Sequence, residues 1–451
     1  MRTRFLLFAV VCLTSVVAAF AQAPKTRPDP EIAKMIKEIS AKNIEASIRK
    51  LVSFGTRNTL SEQDNPTRGV GAARDWIFSE FQKISAECGN CLSVEKQSFL
   101  QPKANRIPEP TTLTNVVATL KGTTNPERVY VVSGHYDSMC SSPTDAKCDA
   151  PGANDDASGT SVVIEIARVM SKRKYDATIV FMTVPGEEQG LLGAAYFAQQ
   201  AVEKKMDIEG MFTNDIVGGV TTQKSSPNRN RVRVFSEGVP SNETEQQAGT
   251  RRSVGGENDS SSRQLARYVK EQSDRYLKNF KVWMIYRRDR YGRGGDHIPF
   301  VERGFTAIRV TEVDEDYTHQ HQNVRTENGI FYGDTPEFVD FEYTANVARV
   351  NMIAFASLAS APARPKNVGI VTGRLTNDTE LKWDANADAD IAGYEVVWRD
   401  TTAAEWTDSA FVGNATTFLA KARSKDNYFF GVRAVDKSGN KSPVVYPRPM
   451  R

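Results

Sequence analysis

Apolar runs alternate with amphipathic segments through the middle of the chain, and this alternation predicts its fold. Short runs rich in β-branched residues, such as 128–133 and 178–182, are typical of buried strands. Longer segments between them carry the apolar period of a helix. The pattern predicts an α/β fold, a doubly wound, mixed, mostly parallel sheet with helices on both faces. Strands are predicted near Val129, Ile179, Met211, Val232, Val282 and Ala307, and helices at Val162–Lys172, Leu191–Lys204, Arg263–Lys278 and Phe338–Leu358.

The pattern changes near a Pro/Ala-rich linker at residues 360–365. Beyond it, short alternating runs are separated by Asn, Asp and Gly turns, which predicts a small all-β sandwich over residues 365–451. Trp383 in its core, Tyr428 at a corner and the closing 434–440 segment resemble a fibronectin type III domain. We expect this region to be a spacer or folding appendage, and contact with a surface or polymer is the alternative.

The remaining long stretch without an apolar period is 236–262, and its polar composition predicts a mobile loop. At the other end, residues 1–23 carry two arginines, an apolar core and a small-x-small site, the pattern of a signal peptide. The apolar core is too short to favour a spanning helix, and no later stretch reaches that length. A catalytic domain is therefore predicted at 24–361 of an exported protein, secreted or periplasmic. The formal net charge of +3 indicates neither nucleic-acid nor membrane binding.

Four of the five cysteines remain after the leader is removed, an even number in an oxidising compartment. Two disulfides are the expectation. The pairs Cys88–Cys91 and Cys140–Cys148 close short loops, although four cysteines allow three connectivities. The second pair flanks the segment between two motifs described next, so its bridge is expected to shape the mouth of a site.

Acidic and histidine side chains lie at the ends of three predicted strands and in the turn before one predicted helix. His135 ends a strand, with Asp137 two residues on, and Asp155 lies in an acidic turn before a helix. The adjacent Glu187 and Glu188 follow another strand, and Asp215 follows a third. Strand ends at one edge of a parallel sheet form its usual ligand crevice.

Five of the nitrogen and oxygen donors make a set that suits zinc, namely His135, Asp155, Glu188, Asp215 and a histidine late in the chain. Five donors are one too many for a closed site with a single metal. Two ions that share Asp155 would use all five, and Glu187 would stay unligated as a base.

The ordered motifs resemble the co-catalytic zinc aminopeptidases, a family that also holds glutaminyl cyclases and glutamate carboxypeptidases. They are His135-x-Asp137, the 154–156 turn, the 186–193 glutamate segment, Asn214-Asp215 and the 296–300 segment. The resemblance covers roughly residues 30 to 360. It implies two Zn²⁺ per chain, one bound by His135 and Asp215 and the other by Glu188 and the late histidine, with Asp155 as the bridge.

The same resemblance implies further roles at individual positions. Glu187 is expected to be the general base, and a cis peptide is expected between Asp155 and Asp156. Asp137, Asp156 and Asp296 are expected to hold the ligands in place. His297 is expected to pack or cap a helix rather than bind metal.

The late histidine is the open assignment. In the family a histidine precedes an aspartate by four residues, and that spacing selects His319, with Asn323 at the aspartate position. His321 is the alternative.

The resemblance implies hydrolysis of the N-terminal peptide bond of peptides with a free amino terminus. A mono-zinc glutaminyl cyclase, a carboxypeptidase and a non-catalytic binding protein on the same fold are the alternatives. The 189–193 segment favours the peptidase over the cyclase, and the full ligand set argues against a binding-only role.

A basic, glycine-rich run at 287–295 directly precedes Asp296. Such runs are commonly solvated loops, but this attachment places it near the cleft. We therefore predict that Arg290 or Arg293 binds a substrate carboxylate, either an acidic side chain or the C-terminus of a short peptide.

Overall fold

The computed structural model describes residues 28–219 and 226–451. The predicted leader, 1–23, lies outside the described residues. The largest element is an eight-stranded sheet in the order β1-β2-β4-β3-β5-β8-β6-β7. Its strands are β1 (Leu92–Gln101), β2 (Thr111–Leu120), β3 (Asn125–His135), β4 (Ala177–Val184), β5 (Asp207–Asn214), β6 (Arg231–Phe235), β7 (Lys281–Ile285) and β8 (Ala307–Thr311).

The centre of this sheet is parallel because its strands are joined by helical crossovers. β4, β3, β5 and β8 pair in parallel, as do β6 and β7, whereas β1–β2, β2–β4 and β8–β6 are antiparallel. The predicted mixed, mostly parallel sheet is confirmed. The helices are α1 (Pro30–Glu38), α2 (Ala41–Val52), α3 (Gly69–Glu87), α4 (Ala157–Met170), α5 (Leu192–Glu203), α6 (Glu245–Val254), α7 (Ser261–Tyr276), α8 (Ile298–Glu302) and α9 (Phe341–Ala359), with a 3₁₀ turn at Pro336–Phe338.

Both faces of the sheet are covered, which explains why its central strands are apolar along their whole length. Alternate residues of β3 point to opposite faces. Tyr130 and Val132 join the core beneath α1, α2, α3, α4, α7 and α9, whereas Val129 and Val131 join a second core with α5 and α8. The prediction of helices on both faces is therefore confirmed.

The C-terminal β region, residues 365–451, forms two small sheets around its own apolar core. The Trp383 ring meets Tyr394 edge-on in that core, with centroids 5.5 Å apart. The four-stranded sheet has the order β15-β12-β11-β17, and the three-stranded sheet has the order β14-β13-β16. The strands are β11 (Gly369–Val371), β12 (Thr379–Lys382), β13 (Ile391–Asp400), β14 (Asp408–Phe411), β15 (Thr417–Ala420), β16 (Tyr428–Asp436) and β17 (Arg448–Met450); β9 (Arg325–Glu327) and β10 (Ile330–Tyr332) form a separate hairpin.

A buried ion-pair network joins the C-terminal β region to α7. Asp259, just before α7, pairs with Arg267 of that helix and with Arg399 of β13, each at 2.7 Å. All three side chains are almost fully buried. The Trp406 indole N–H also donates to Gln264 of α7 at 3.1 Å. The region is thus packed firmly against the large sheet's helical layer.

The segment 236–262 is not the loop that its composition predicts. It contains α6, whose first turn carries a capping box between Thr244 and Gln247. The Tyr446 hydroxyl of the C-terminal β region donates to Val254 O at its end. Because α6 is polar and is stabilised by such distant contacts, its sequence lacks the apolar period that would predict a helix.

Both predicted disulfides are confirmed, Cys88–Cys91 and Cys140–Cys148. Among the described residues, no helix combines the length and the apolar character needed to span a membrane.

Candidate metal centre and active site

The candidate site lies where three neighbouring parallel strands end. β3 ends at His135, β4 is followed by the turn with Glu187 and Glu188, and Asp215 directly follows β5. Since β4, β3 and β5 are adjacent and parallel, their carboxyl ends meet at one edge of the sheet. Asp155 reaches the same place from the turn before α4.

His135, Asp155 and Asp215 form the first donor group. The His135 Nε2 atom lies 3.1 Å from Asp155 Oδ1 and 3.8 Å from Asp215 Oδ1. This nitrogen is fully buried and makes no hydrogen bond with any described residue. A buried polar atom without a partner calls for an explanation, and a metal ion supplies one.

Asp155, Glu188 and His321 form the second donor group. The His321 Nε2 atom lies 2.9 Å from Asp155 Oδ2 and 3.1 Å from Glu188 Oε1. One oxygen of Asp155 therefore faces His135 and the other faces His321. This is the geometry expected of a carboxylate that bridges two metal ions.

This geometry favours His321 as the late histidine, because the His319 ring points elsewhere. Its ring stacks on Phe338 with centroids 3.6 Å apart, and its Nδ1 lies 3.1 Å from Gly333 O. The chain turns at His321, whose backbone φ is 54°. Asn323, at the expected aspartate position, accepts hydrogen bonds from the backbone and hydroxyl of Ser141 instead.

Asp137 and Asp156 both contact His135. The His135 Nδ1 atom lies 3.2 Å from Asp137 O and 3.4 Å from its Oδ1. Asp156 accepts from the His135 backbone N–H at 3.0 Å and caps α4 through Gly159 N–H at 2.9 Å. The peptide between Asp155 and Asp156 is cis, as predicted. The contact between His135 Nδ1 and Asp137 fixes which ring nitrogen this histidine can offer to a metal.

Asp296 and His297 are both buried, and neither belongs to a donor group among the described residues. Neither Asp296 oxygen has a hydrogen-bond partner among the described residues. Burial raises the pKa of Asp296 to about 7, and the nearby Asp215 carboxylate adds to the rise. The His297 Nε2 atom lies 2.7 Å from Arg288 O, so this histidine packs, as predicted.

Three buried side chains that support the site were missed by the sequence reasoning. Arg309 of β8 places Nη1 3.0 Å from Asp215 Oδ2. Burial opposes ionisation of Asp215, but Arg309 and His135 outweigh it and hold the pKa of this carboxyl at about 2. Asp334 accepts the backbone N–H of Asp155 at 2.7 Å, and Arg57 binds backbone carbonyls on both ligand-bearing loops. None of the three belongs to a motif with recognisable spacing.

Glu187 lies beside both donor groups but belongs to neither. Its backbone N–H donates to Asp137 Oδ1 and that of Glu188 donates to Asp137 Oδ2, both at 3.3 Å. One aspartate thereby fixes the turn that carries both glutamates. Burial raises the pKa of Glu187 well above its usual range, and Asp215 and Glu188 add to the rise.

A cavity of about 560 Å³ opens onto the donor groups. This size suits a short peptide, since ligand cavities generally run from about 300 to 1,000 Å³. Its lining includes the predicted substrate candidates Arg290 and Arg293. The other charged and aromatic residues around it are Asp155, Glu187, Glu188, Asp215, His321, Arg106 and Tyr317.

The donor set fits zinc, which accepts imidazole nitrogen and carboxylate oxygen in one site. In each group the donor atoms lie within 4.8 Å of one another. A third cluster among the described residues contains Cys140 and Cys148, but their sulfurs are joined in a disulfide and cannot serve as thiolates. Paired donor groups, a separate carboxylate and an open cavity are the features of a metal-dependent hydrolase.

Comparison with known proteins gives the family. The profile described as Peptidase family M28 matches residues 115–330. A probable zinc metalloprotease of Leptosphaeria maculans is 50% identical over 425 residues, which cover 94% of this chain and 98% of that protein. A second, from Pyrenophora tritici-repentis, is 49% identical over 94% of this chain and 88% of the relative. The chain belongs to peptidase family M28 and is a zinc metalloprotease.

Solved structures share the fold at low sequence identity. The Legionella pneumophila LapA aminopeptidase matches with a TM-score of 0.52 and 19% identity, over 79% of this chain and 80% of that one. The glutaminyl cyclase of Macrostomum lignano matches with a TM-score of 0.51 and 15% identity, over 75% and 95%. Because both activities occur on this fold, the choice between them depends on the site.

Proposed function

We propose that the protein is an exported di-zinc aminopeptidase that hydrolyses the N-terminal peptide bond of peptides with a free amino terminus. The observation that carries the proposal is the position of Asp155, whose two oxygens face separate donor groups. His135 and Asp215 would complete one zinc site, and Glu188 and His321 would complete the other.

Zinc, when bound, supplies a Lewis acid and lowers the pKa of water from about 15.7 towards 7. Glu187 accepts the proton of the attacking water and passes it to the leaving amine. A raised carboxyl pKa suits this task, since the group must take up and release a proton near neutral pH. Asp137 separates the two roles by anchoring the backbone of both glutamates.

The site's carboxylates support recognition of a free amino terminus. Several carboxylates line the cavity next to the donor groups, and together they attract a substrate ammonium. A blocked amino terminus has neither the charge nor the three donors of an ammonium.

Export is supported by the leader pattern at 1–23 and by two disulfides, which persist in oxidising compartments. The C-terminal β region is proposed to brace α7 through its buried contacts, rather than to bind a surface or polymer.

Zinc content and a matched peptide set test the proposal. Elemental analysis should give two zinc ions per chain. Leu-Ala-Ala-NH₂ should be cleaved, its N-acetylated form should not, and a Gln-initiated peptide should lose glutamine rather than form a pyroglutamyl ring. Glu187→Gln, which keeps size and polarity, is the matched inactive control.

Other outcomes identify the alternatives. Pyroglutamyl product with one zinc per chain would indicate a cyclase, and cleavage of the acetylated peptide at its C-terminus would indicate a carboxypeptidase. A zinc-loaded protein that turns over no peptide would leave the binding protein as the conclusion.

A further inference from the structure

Three arginines from two loops reach the cavity that opens onto the donor groups. Arg106 lies between β1 and β2, whereas Arg290 and Arg293 lie between β7 and α8. From the sequence alone, Arg290 and Arg293 are equivalent candidates for binding a substrate carboxylate. The structure distinguishes them by what already occupies their guanidinium groups.

Arg290 is fully engaged within the protein. Its Nη1 pairs with Glu315 Oε2 at 2.9 Å, its Nη2 donates to Gly294 O at 3.2 Å, and its Nε lies 3.3 Å from Asp289 Oδ1. Only 9% of its side chain is exposed. Arg290 therefore shapes the loop and is not free to hold a substrate.

Arg293 is the outermost of three arginines that share one buried carboxylate. Glu315 receives Arg233 on Oε1 at 2.7 Å, and both Arg290 and Arg293 on Oε2. Glu315 is thus shared by three guanidinium groups, and Arg290 is paired with Asp289 as well. Arg293 is the most exposed of the three, at 34%, and only its Nη1 has a partner among the described residues. Arg293 therefore lines the cavity with N–H donors that have no partner among the described residues.

Arg106 is the second exposed cation at the cavity, and it has no carboxylate partner among the described residues. Its Nη1 donates to the backbone oxygen of Glu188 at 2.6 Å, and the rest of the exposed guanidinium is unpaired. That hydrogen bond places it directly against the turn that carries Glu187 and Glu188. Two arginines from different loops thus line the same cavity as the proposed catalytic groups.

We propose that Arg106 and Arg293 form a carboxylate-binding subsite and that the substrates are short peptides with a negative charge close to the scissile bond. The proposal rests on the peptidase function proposed above. A guanidinium offers parallel N–H donors that match a carboxylate, and both groups retain such donors. The charge can come from an acidic side chain or from the free C-terminus of a di- or tripeptide.

Peptide pairs that differ in one charge separate these sources. Ala-Glu-NH₂ against Ala-Gln-NH₂ and Glu-Ala-NH₂ against Gln-Ala-NH₂ test a side chain on either side of the bond, and Ala-Ala against Ala-Ala-NH₂ tests the C-terminus. The protein should favour the charged member of at least one pair by about tenfold in kcat/KM, the size expected of one charge-assisted pair.

Arg293→Gln and Arg106→Gln should each reduce that preference severalfold, measured as the ratio of kcat/KM for the charged and the neutral member of a pair. The matched control is Arg287→Gln, which removes the same charge from the same loop; its guanidinium lies over the Tyr291 ring and does not line the cavity. Absence of a charge preference, or equal losses on charged and neutral peptides, would overturn the subsite.

Calorimetric binding to the zinc-loaded Glu187→Gln protein separates this inference from the proposed function. Tighter binding of the charged peptide that Arg293→Gln abolishes would support the subsite even if no peptide were turned over. Turnover of neutral peptides together with equal binding of both members would retain the peptidase and refute the subsite.

Discussion

Arg57 ties together the two loops that carry the first donor group, and its removal should weaken zinc binding. Its Nε donates to Tyr136 O and its Nη2 to Gly152 O, both at 2.8 Å, and its Nη1 donates to Pro151 O. Tyr136 follows His135 directly, and Pro151 and Gly152 begin the turn to Asp155. Burial lowers the pKa of Arg57 to about 10, although Asp334 opposes the fall, so the guanidinium is charged at neutral pH.

Arg57→Met keeps the length and the apolar stem but removes every donor. A hydrogen bond to a charged group contributes about 1.5–3 kcal/mol. Four are lost, because Nη1 also donates to Leu51 O at 3.3 Å. The freed carbonyls gain water or shift, so we expect a loss of about 3–5 kcal/mol in the free energy of unfolding, as for a broken buried pair. Zinc affinity should fall about 10- to 100-fold, as it does when groups that orient ligands are removed.

The assay is competition for zinc with a chelator of known affinity, together with urea denaturation with and without zinc. Arg128→Met is the matched control, because Arg128 is equally buried and donates to Ala361 O at the opposite end of β3. If both variants fold and bind zinc equally tightly, Arg57 has no specific role in holding the ligands.

Four further outcomes are expected. Glu187→Ala should keep its zinc and its fold but lose at least about a hundredfold in kcat, as when a general base is removed, and near-normal turnover would disprove the role. His321→Ala should lose one zinc on dialysis whereas His319→Ala should keep both, and the reverse would restore the sequence-based choice. Burial lowers the pKa of His297 from 6.5 to about 4, so the unfolded state binds the extra proton between these values and stability is lost as pH falls through them. The stability gap between the wild type and His297→Gln should therefore narrow by about 2–3 kcal/mol from pH 7.5 to 4.5 in urea titrations, and an unchanged gap would contradict the shift. Asp259→Ala leaves two buried arginines unpaired and should lower the free energy of unfolding by about 3–5 kcal/mol, with little change in kcat at temperatures where the variant stays folded.

Much of the site is readable in the sequence because its ligands follow apolar strands. His135, Glu188 and Asp215 each sit at or just beyond a buried run, and parallel strands bring such ends together. The adjacent glutamates are also separable by role, since only Glu188 joins a donor group.

The choice between the two late histidines depends on backbone conformation that spacing cannot reveal. A left-handed φ at His321 and the stacking of His319 on Phe338 decide which ring faces Asp155. Neither feature leaves a pattern in the chain, because each depends on contacts made across the fold.

Contacts between residues distant in the sequence explain the other features that could not be predicted. Arg290 looks like a free cation in the sequence, but Glu315, 25 residues further on, binds it. The helix α6 is polar throughout and depends on Tyr446 and other distant residues. Arg57 is far in sequence from the two loops that it joins, so no local motif predicts its function.

Anomalous diffraction at the zinc edge from crystals of the zinc-loaded protein would locate the metal ions directly. We expect two peaks that share Asp155, one contacted by His135 and Asp215 and the other by Glu188 and His321. A single peak, or a second peak bound by residues other than Glu188 and His321, would contradict this expectation.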